Sequence, residues 1–446
     1  MAAIGSVGPV GASRLRSQSR SRSSRGVRLV ALGSAAVVVL GCVACSPGAP
    51  TPAAEGSPAA GSCAWPTLDS VQMSNIGIPD STASYWLQPI VAGPDTRIVI
   101  SGRYADARYT SLSVYTPGGS PFASDGVGSS LSDYRITPEA GSLNPWQRSA
   151  APGGRYTVTI RSDVSPGQVN TLPMPPDTTS QHPGYLLYRV YLPAGNNSAP
   201  PPPTVTLMQG HTAHTLPTCR RHNAPVPVPT RPSPTPPTSS ATTPAPTPPQ
   251  LEFYKPAAST FDAGLPNVDT AYVWAYLVRP PASDVVVVTG RAPTAAPGRH
   301  PSPWPAAGED MRYWSLCIGT ATAHVPTVAN ALPGGRTDYG CRADDSTNRD
   351  PAGDYTYVIG SESQRTDIDR VPNVTFLPFA TNQTSRVYLL LLRNTLVSAQ
   401  FNYSVQNVTQ ANQPAAAAAA MGPYYPRTSV CPLTTLTTRG PQACTS

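Results

Sequence analysis

The residues best suited to chemistry in this 446-residue chain come as a pair: Arg108 in ADARYTSLSVY and Arg312 in EDMRYWSLCI. An arginine placed before Tyr at the start of a strand can grip a carboxylate or phosphate with its planar fork, or donate to a sugar hydroxyl. The alternative is a purely structural ion pair that fixes the strand entry, with Asp106 or Asp310 as the nearest acid. Ser111 and Ser315 follow in the same motif, yet neither stands in the G-x-S-x-G elbow that exposes a nucleophile.

Other chemistry-bearing types are sparse. His211 and His214 (GHTAH) stand three apart, which would share a face on a helix but not on a strand. No third ligand follows at a zinc spacing. DDSTNRD (344–350) sets oxygen side chains at alternate positions, as a calcium loop does, but lacks the required Gly and the distal Glu. No metal and no cofactor is therefore expected. The acids are few and lie mostly in turn contexts, so no catalytic carboxylate pair can be named. Tyr and Trp on a β-rich fold can form sugar platforms or protein hot spots. Trp146 in SLNPWQ and Trp304 in SPWPAA lie in loop contexts and are expected to be exposed. Arg108, Arg312, Trp146 and Trp304 make up the candidate binding set.

These residues are held by a pattern that occurs twice. GIPDSTASYW (77–86) matches GLPNVDTAYVW (264–274), and RIVISG (97–102) matches VVVVTG (285–290). RYTSL then answers RYWSL, RYTVTI (155–160) answers DYTYVI (354–359), and LLYRVYL (186–192) answers LLLRNTL (390–396). The offset grows from 188 at the glycines to 204 at Arg-Tyr, through a Pro/Ala/Gly insertion, APTAAPGRHPSPWPAA. Ordered matches at nearly constant spacing point to internal duplication. The matched segments are short, rich in Val, Ile, Tyr and Thr, and bounded by Gly, Pro, Asn and Asp, which is strand grammar. SLSVY alternates as a half-buried strand does, whereas VVVV reads as buried on both sides or in a sandwich core. Ala415–Ala420 is the one obvious helix former. The expectation is an all-β chain of two tandem, jelly-roll-like β-sandwiches at 63–220 and 251–446. A Pro/Thr-rich linker at 221–250 separates them, extended as polyproline II and able to span roughly 80 Å.

Residues 1–44 read as a secretory signal peptide, with six arginines, no acid, and then the apolar run LVALGSAAVVVL. Taking those six charges from the chain's net +7 leaves +1, and no later Lys/Arg run invites nucleic acid. The remaining polarity comes from Ser, Thr, Pro, Asn and Gln, as in exported proteins. Cys45 is the expected lipidation site, because Cys42 then leaves with the signal peptide and an even six cysteines remain. Cys42 is the alternative, favoured by Val39 three residues before it. A diacyl anchor of this kind attaches a protein firmly without a spanning helix, and residues 45–62 then form a flexible tether. The six cysteines allow fifteen pairings. Locality favours Cys63 with Cys219, Cys317 with Cys341, and Cys431 with Cys444.

Several longer phrases are distinctive: LSDYRITPEAGSLNPW (131–146), NTLPMPP (170–176), YRVYLP (188–193), RYWSLC, DPAGDYTYVIGS (350–361) and MGPYYPRTSVC (421–431). With the duplicated RY-x-S-L halves, they resemble an uncharacterised family of exported actinobacterial proteins, over most of residues 63–446. The resemblance implies export and a β-rich fold, and no activity.

The expected function is that of a non-catalytic binding or structural module, lipid-anchored on the outer face of the cell membrane, for cell-wall glycan or an envelope protein. The alternative is an envelope hydrolase or lyase acting on glycan or lipid. Convergence of Arg108, Asp133, Asn144 and His211 in one pocket would favour the enzyme, whereas an open aromatic patch with no perturbed acids would favour binding.

Overall fold

The computed structural model describes residues 62–93, 95–195, 199–226, 251–260, 264–381 and 386–444. The expected signal peptide, Cys42, Cys45, the expected tether up to residue 61 and residues 227–250 of the expected linker lie outside the described residues.

The described chain is mostly β. Its first strands are β1 (Thr67–Asp69), β2 (Ala83–Ile90), β3 (Thr96–Arg103) and β4 (Ala107–Tyr115). The short β5 (Ala123–Ser124), β6 (Val127–Gly128) and β7 (Ser130–Ser132) follow. β8 (Arg155–Arg161), β9 (Thr171–Pro173), β10 (Gly184–Pro193), β11 (Thr204–Gln209) and β12 (Thr212–Thr215) complete the first half. The second half opens with β13 (Thr270–Val278), β14 (Asp284–Arg291), β15 (Met311–Thr320), β16 (Ala329–Ala331), β17 (Thr337–Tyr339) and β18 (Cys341–Ala343). It ends with β19 (Asp354–Gly360), β20 (Val374–Pro378), β21 (Val387–Val397) and β22 (Arg427–Pro432). Three short helices, α1 (Arg365–Ile368), α2 (Pro414–Met421) and α3 (Leu433–Arg439), lie in the second half. None is long and apolar enough to cross a membrane.

Each half has two principal sheets. The first half orders them β1-β2-β10-β4-β7 and β12-β11-β3-β8-β9, and the second β13-β21-β15-β18 and β20-β19-β14-β22. Pairing is antiparallel except for β8 with β9 and β19 with β20. In the first half Leu112, Val114, Leu186 and Val190 from one sheet pack with Ile98, Ile100, Val158 and Val205 from the other. Trp314, Leu316, Leu390 and Leu392 meet Val286, Val288, Tyr357 and Ile359 in the same way. The VVVV run is covered on both faces, because Val285 and Val287 face a third cluster with Ile368, Phe376 and Leu436.

The RY-x-S-L strands depart from the half-buried expectation. All of β4 and all of β15 are buried. Side chains alternate across a strand, so Leu112 and Val114 face their own core. Tyr109, Ser111, Ser113 and Tyr115 point the other way, and there the second half covers them. Tyr109, Tyr191, Tyr313 and Leu396 share one cluster drawn from both halves. The described residues accordingly form one compact unit.

Among the described residues three disulfides close the fold. Cys63–Cys219 joins the two ends of the first half, Cys317–Cys341 bridges paired positions on β15 and β18, and Cys431–Cys444 pins the tail.

Candidate functional site

Polar chemistry gathers where the halves meet. Arg108 is buried and ion-paired with Asp344 of the second half, and its Nε donates to the Gly298 carbonyl at 2.6 Å. Arg312 does the converse, reaching Asp133 of the first half at 3.2 Å and the Arg108 carbonyl at 3.1 Å. Each aspartate also accepts a backbone N–H from the strand of its own half: Asp133 from Thr110 at 2.6 Å, Asp344 from Trp314 at 3.2 Å. Burial pushes both carboxyls up to about 6, against the pull of the neighbouring arginines. The acids expected to pair with these arginines are engaged elsewhere. Asp106 accepts from His300, and Asp310 binds the Thr294 N–H. Each arginine instead finds its acid in the other half, Arg108 at Asp344 and Arg312 at Asp133.

Trp146 and Trp304, expected at the surface, are buried at 0% and 8% exposure. The Trp146 indole donates to the Arg108 carbonyl at 2.9 Å, and the Arg312 guanidinium stacks over Trp304 at 5.2 Å. Trp304 lies in the Pro/Ala/Gly insertion, which folds over the junction and also supplies Gly298 to Arg108. Loop context misled because these loops cover the arginines rather than facing water.

A second layer of contacts crosses at the other end of the same strands. Asp80, fully buried, accepts from the Tyr313 and Ser315 hydroxyls, each at 2.6 Å, and lies 3.6 Å from Arg393. The Arg393 guanidinium also bonds the Ile78 carbonyl and contacts the Cys317 sulfur at 2.8 Å. On the opposite side Tyr109 donates to Asp269 at 2.8 Å, and Arg189 bonds the Leu265 carbonyl and the Tyr115 hydroxyl. Ile78 and Leu265 both have φ of 50°, a region non-glycine residues seldom adopt and one that is costliest for the β-branched Ile78. That strained turn is what presents each carbonyl to the guanidinium of the other half. Asp80, Cys317 and Cys341 approach one another as metal ligands would, but both sulfurs are in a disulfide and offer no thiolate.

A cleft of about 200 Å³ opens beside this layer, walled by Leu87, Leu187, Leu391, Tyr85, Tyr272 and Trp274, with Arg189, Asn267 and Asp69 on its lining. Burial pushes the Asp69 carboxyl up to about 7, opposed by backbone N–H groups of Ile76, Ser70 and Asn75. Sequence reasoning missed Arg189, Asn267 and Asp69. Their one signal was that LLYRVYL and LLLRNTL each place an arginine inside an otherwise apolar strand.

The remaining sequence candidates scatter. Asn144 reaches the Asp133 carbonyl at 2.8 Å, beneath the surface, while His211 sits exposed at the β11–β12 turn. Asp345 pairs with Arg299, Asn348 bonds the Val374 carbonyl, and Asp350 caps its own turn, so DDSTNRD points its oxygens in several directions.

No protein-family model matches the chain, and no curated protein does. Among the solved structures that match, two align along most of it. An uncharacterised protein from Burkholderia cenocepacia is 13% identical over 86% of this chain and 85% of its own, with a TM-score of 0.47. An anti-sigma factor domain-containing protein is 8% identical over 83% of this chain and 86% of its own, with a TM-score of 0.17. At those scores neither carries an argument about the fold or the function of this chain.

Proposed function

We propose that this is a lipid-anchored cell-envelope protein, non-catalytic, whose duplicated β-sandwich halves lock together to present a binding surface to cell-wall glycan or an envelope protein. Three disulfides support an oxidising, extracytoplasmic compartment. The duplication is supported by equivalent residues in equivalent roles at a constant offset of 204: Tyr109 with Tyr313, Arg189 with Arg393, and Leu192 with Leu396, the last two sharing φ of 46°. Membership of the exported actinobacterial family and lipidation at Cys45 rest on the sequence phrases quoted above.

The observation that carries the binding reading is an exposed aromatic pair. Tyr403 is 46% exposed, the one such aromatic among the described residues, and stacks on Tyr424 with centroids 5.6 Å apart. Phe401 buttresses Tyr424 edge-on at 4.9 Å. A flat, braced aromatic face with hydroxyls at its rim suits a sugar ring or a protein hot spot.

The test is retention of purified residues 46–446 on whole cell-wall fractions. Tyr403→Ala is expected to weaken retention severalfold, since an aromatic contact is worth about 0.5–1.5 kcal/mol. Undiminished retention would remove this patch from the reading. Soluble fragments released from the bound fraction would favour the hydrolase or lyase instead.

A further inference from the structure

The geometry points to the cleft between Arg189 and Asn267 as a binding site for a small monocarboxylate carrying one ring or a short apolar chain. This site is separate from the Tyr403 patch and depends on neither the anchor nor the glycan reading.

Charge is the first argument. Arg189 is 2% exposed, and its donors meet only neutral oxygens: the Ser113 and Tyr115 hydroxyls at 3.2 and 2.7 Å, and the Leu265 carbonyl. Among the described residues no carboxylate lies within ion-pairing distance of it. Its counterpart Arg393 has Asp80. The two loops explain the difference, because GIPD places Asp80 where GLPN places Asn267. A buried guanidinium without a counter-ion is costly, and an anion entering the cleft relieves that cost.

Hydrogen bonding is the second. Asn267 is 3% exposed, and its side-chain N–H₂ has no partner among the described residues. An amide donor and a guanidinium on one lining are complementary to a carboxylate, whose two oxygens accept several bonds.

Size and polarity are the third. Around these donors the walls are mostly aliphatic and aromatic, with the Asp69 carboxyl and the Asp80-paired Arg393 also on the lining, and the volume of about 200 Å³ is small. An apolar cavity of roughly 150 Å³ holds benzene. One ring with a carboxylate therefore fills the space, and a disaccharide or peptide does not fit. Tyr85 and Tyr272 are half-buried, which leaves the cleft a way in.

The probe is phenylacetate, titrated into the full chain by calorimetry, with neutral 2-phenylacetamide as the matched control. Saturable one-to-one binding is expected, with the amide at least tenfold weaker. Asn267→Asp supplies Arg189 with the acid that Arg393 already has, so the variant should fold, keep its melting temperature and lose phenylacetate binding at least tenfold. Leu391→Phe, which fills the cleft without touching the donors, should also abolish binding. Absence of saturable binding, equal binding of acid and amide, or unchanged binding by folded Asn267→Asp would each overturn the site.

Discussion

Asp69 lies on edge strand β1 opposite Tyr85, which in turn lies opposite Arg189, so the three form a row across β1, β2 and β10. One Asp69 carboxylate oxygen has no partner among the described residues, and burial raises the group from 3.8 to about 7. The folded chain therefore holds a proton between those values that the unfolded chain has released. Stability then falls as pH rises from about 4 to about 7, by up to roughly 1.4 kcal/mol per pH unit, and is flat beyond. Chemical denaturation at pH 5 and 7.5 checks this. The wild-type chain should be the more stable at pH 5, and Asp69→Asn should lose much of that difference. An equal pH response in both proteins would show that Asp69 is solvated and ordinary.

At the scale of the strand, β4 and β15 carry the same motif but use it differently. The Ser315 hydroxyl donates to buried Asp80 at 2.6 Å, whereas that of Ser111 has no ordinary hydrogen bond among the described residues. Hydrogen bonds to a charged group contribute about 1.5–3 kcal/mol. Ser315→Ala should destabilise by about that amount, and Ser111→Ala by less than about 0.5 kcal/mol. Urea midpoints of the two variants decide it, and similar losses would contradict the assignment. The strands themselves were legible: RYTSL, RYWSL, VVVV and the Arg-containing Leu runs all fall in strands, because β-branched and aromatic residues between turn formers leave few other choices. The poly-Ala helix was legible too, while α3, written LTTLTTR, was not, since its threonines favour strand. What alternation could not reveal was the covering of the polar faces. Tyr109, Ser111 and Ser113 look like a solvated face until another half supplies Asp269 and its neighbours. The cleft was hidden for the same reason, as Asp69, Arg189 and Asn267 are separated by more than seventy residues at each step and meet only after docking.

In the whole molecule each half completes the other. Residues 63–226 alone would expose Tyr109, Tyr115 and Leu187 and leave Asp133 without Arg312. Removing one partner of a buried ion pair costs about 3–5 kcal/mol, and here several partners go together. Closure of the Cys63–Cys219 loop, worth roughly 5 kcal/mol by chain entropy, does not replace them. Separately produced 63–226 and 251–446 should each lack cooperative thermal unfolding and regain it when mixed. Cooperative melting of either piece alone would show the docking to be incidental. The crossed pairing of Arg108 with Asp344 and Arg312 with Asp133 has a corollary for crowded conditions. Nothing in those bonds requires both partners to belong to one polypeptide, so the front of one molecule can be satisfied by the back of a neighbour. Covalent connection then prevails only through local concentration, and refolding in dense solution should trap reciprocally exchanged dimers.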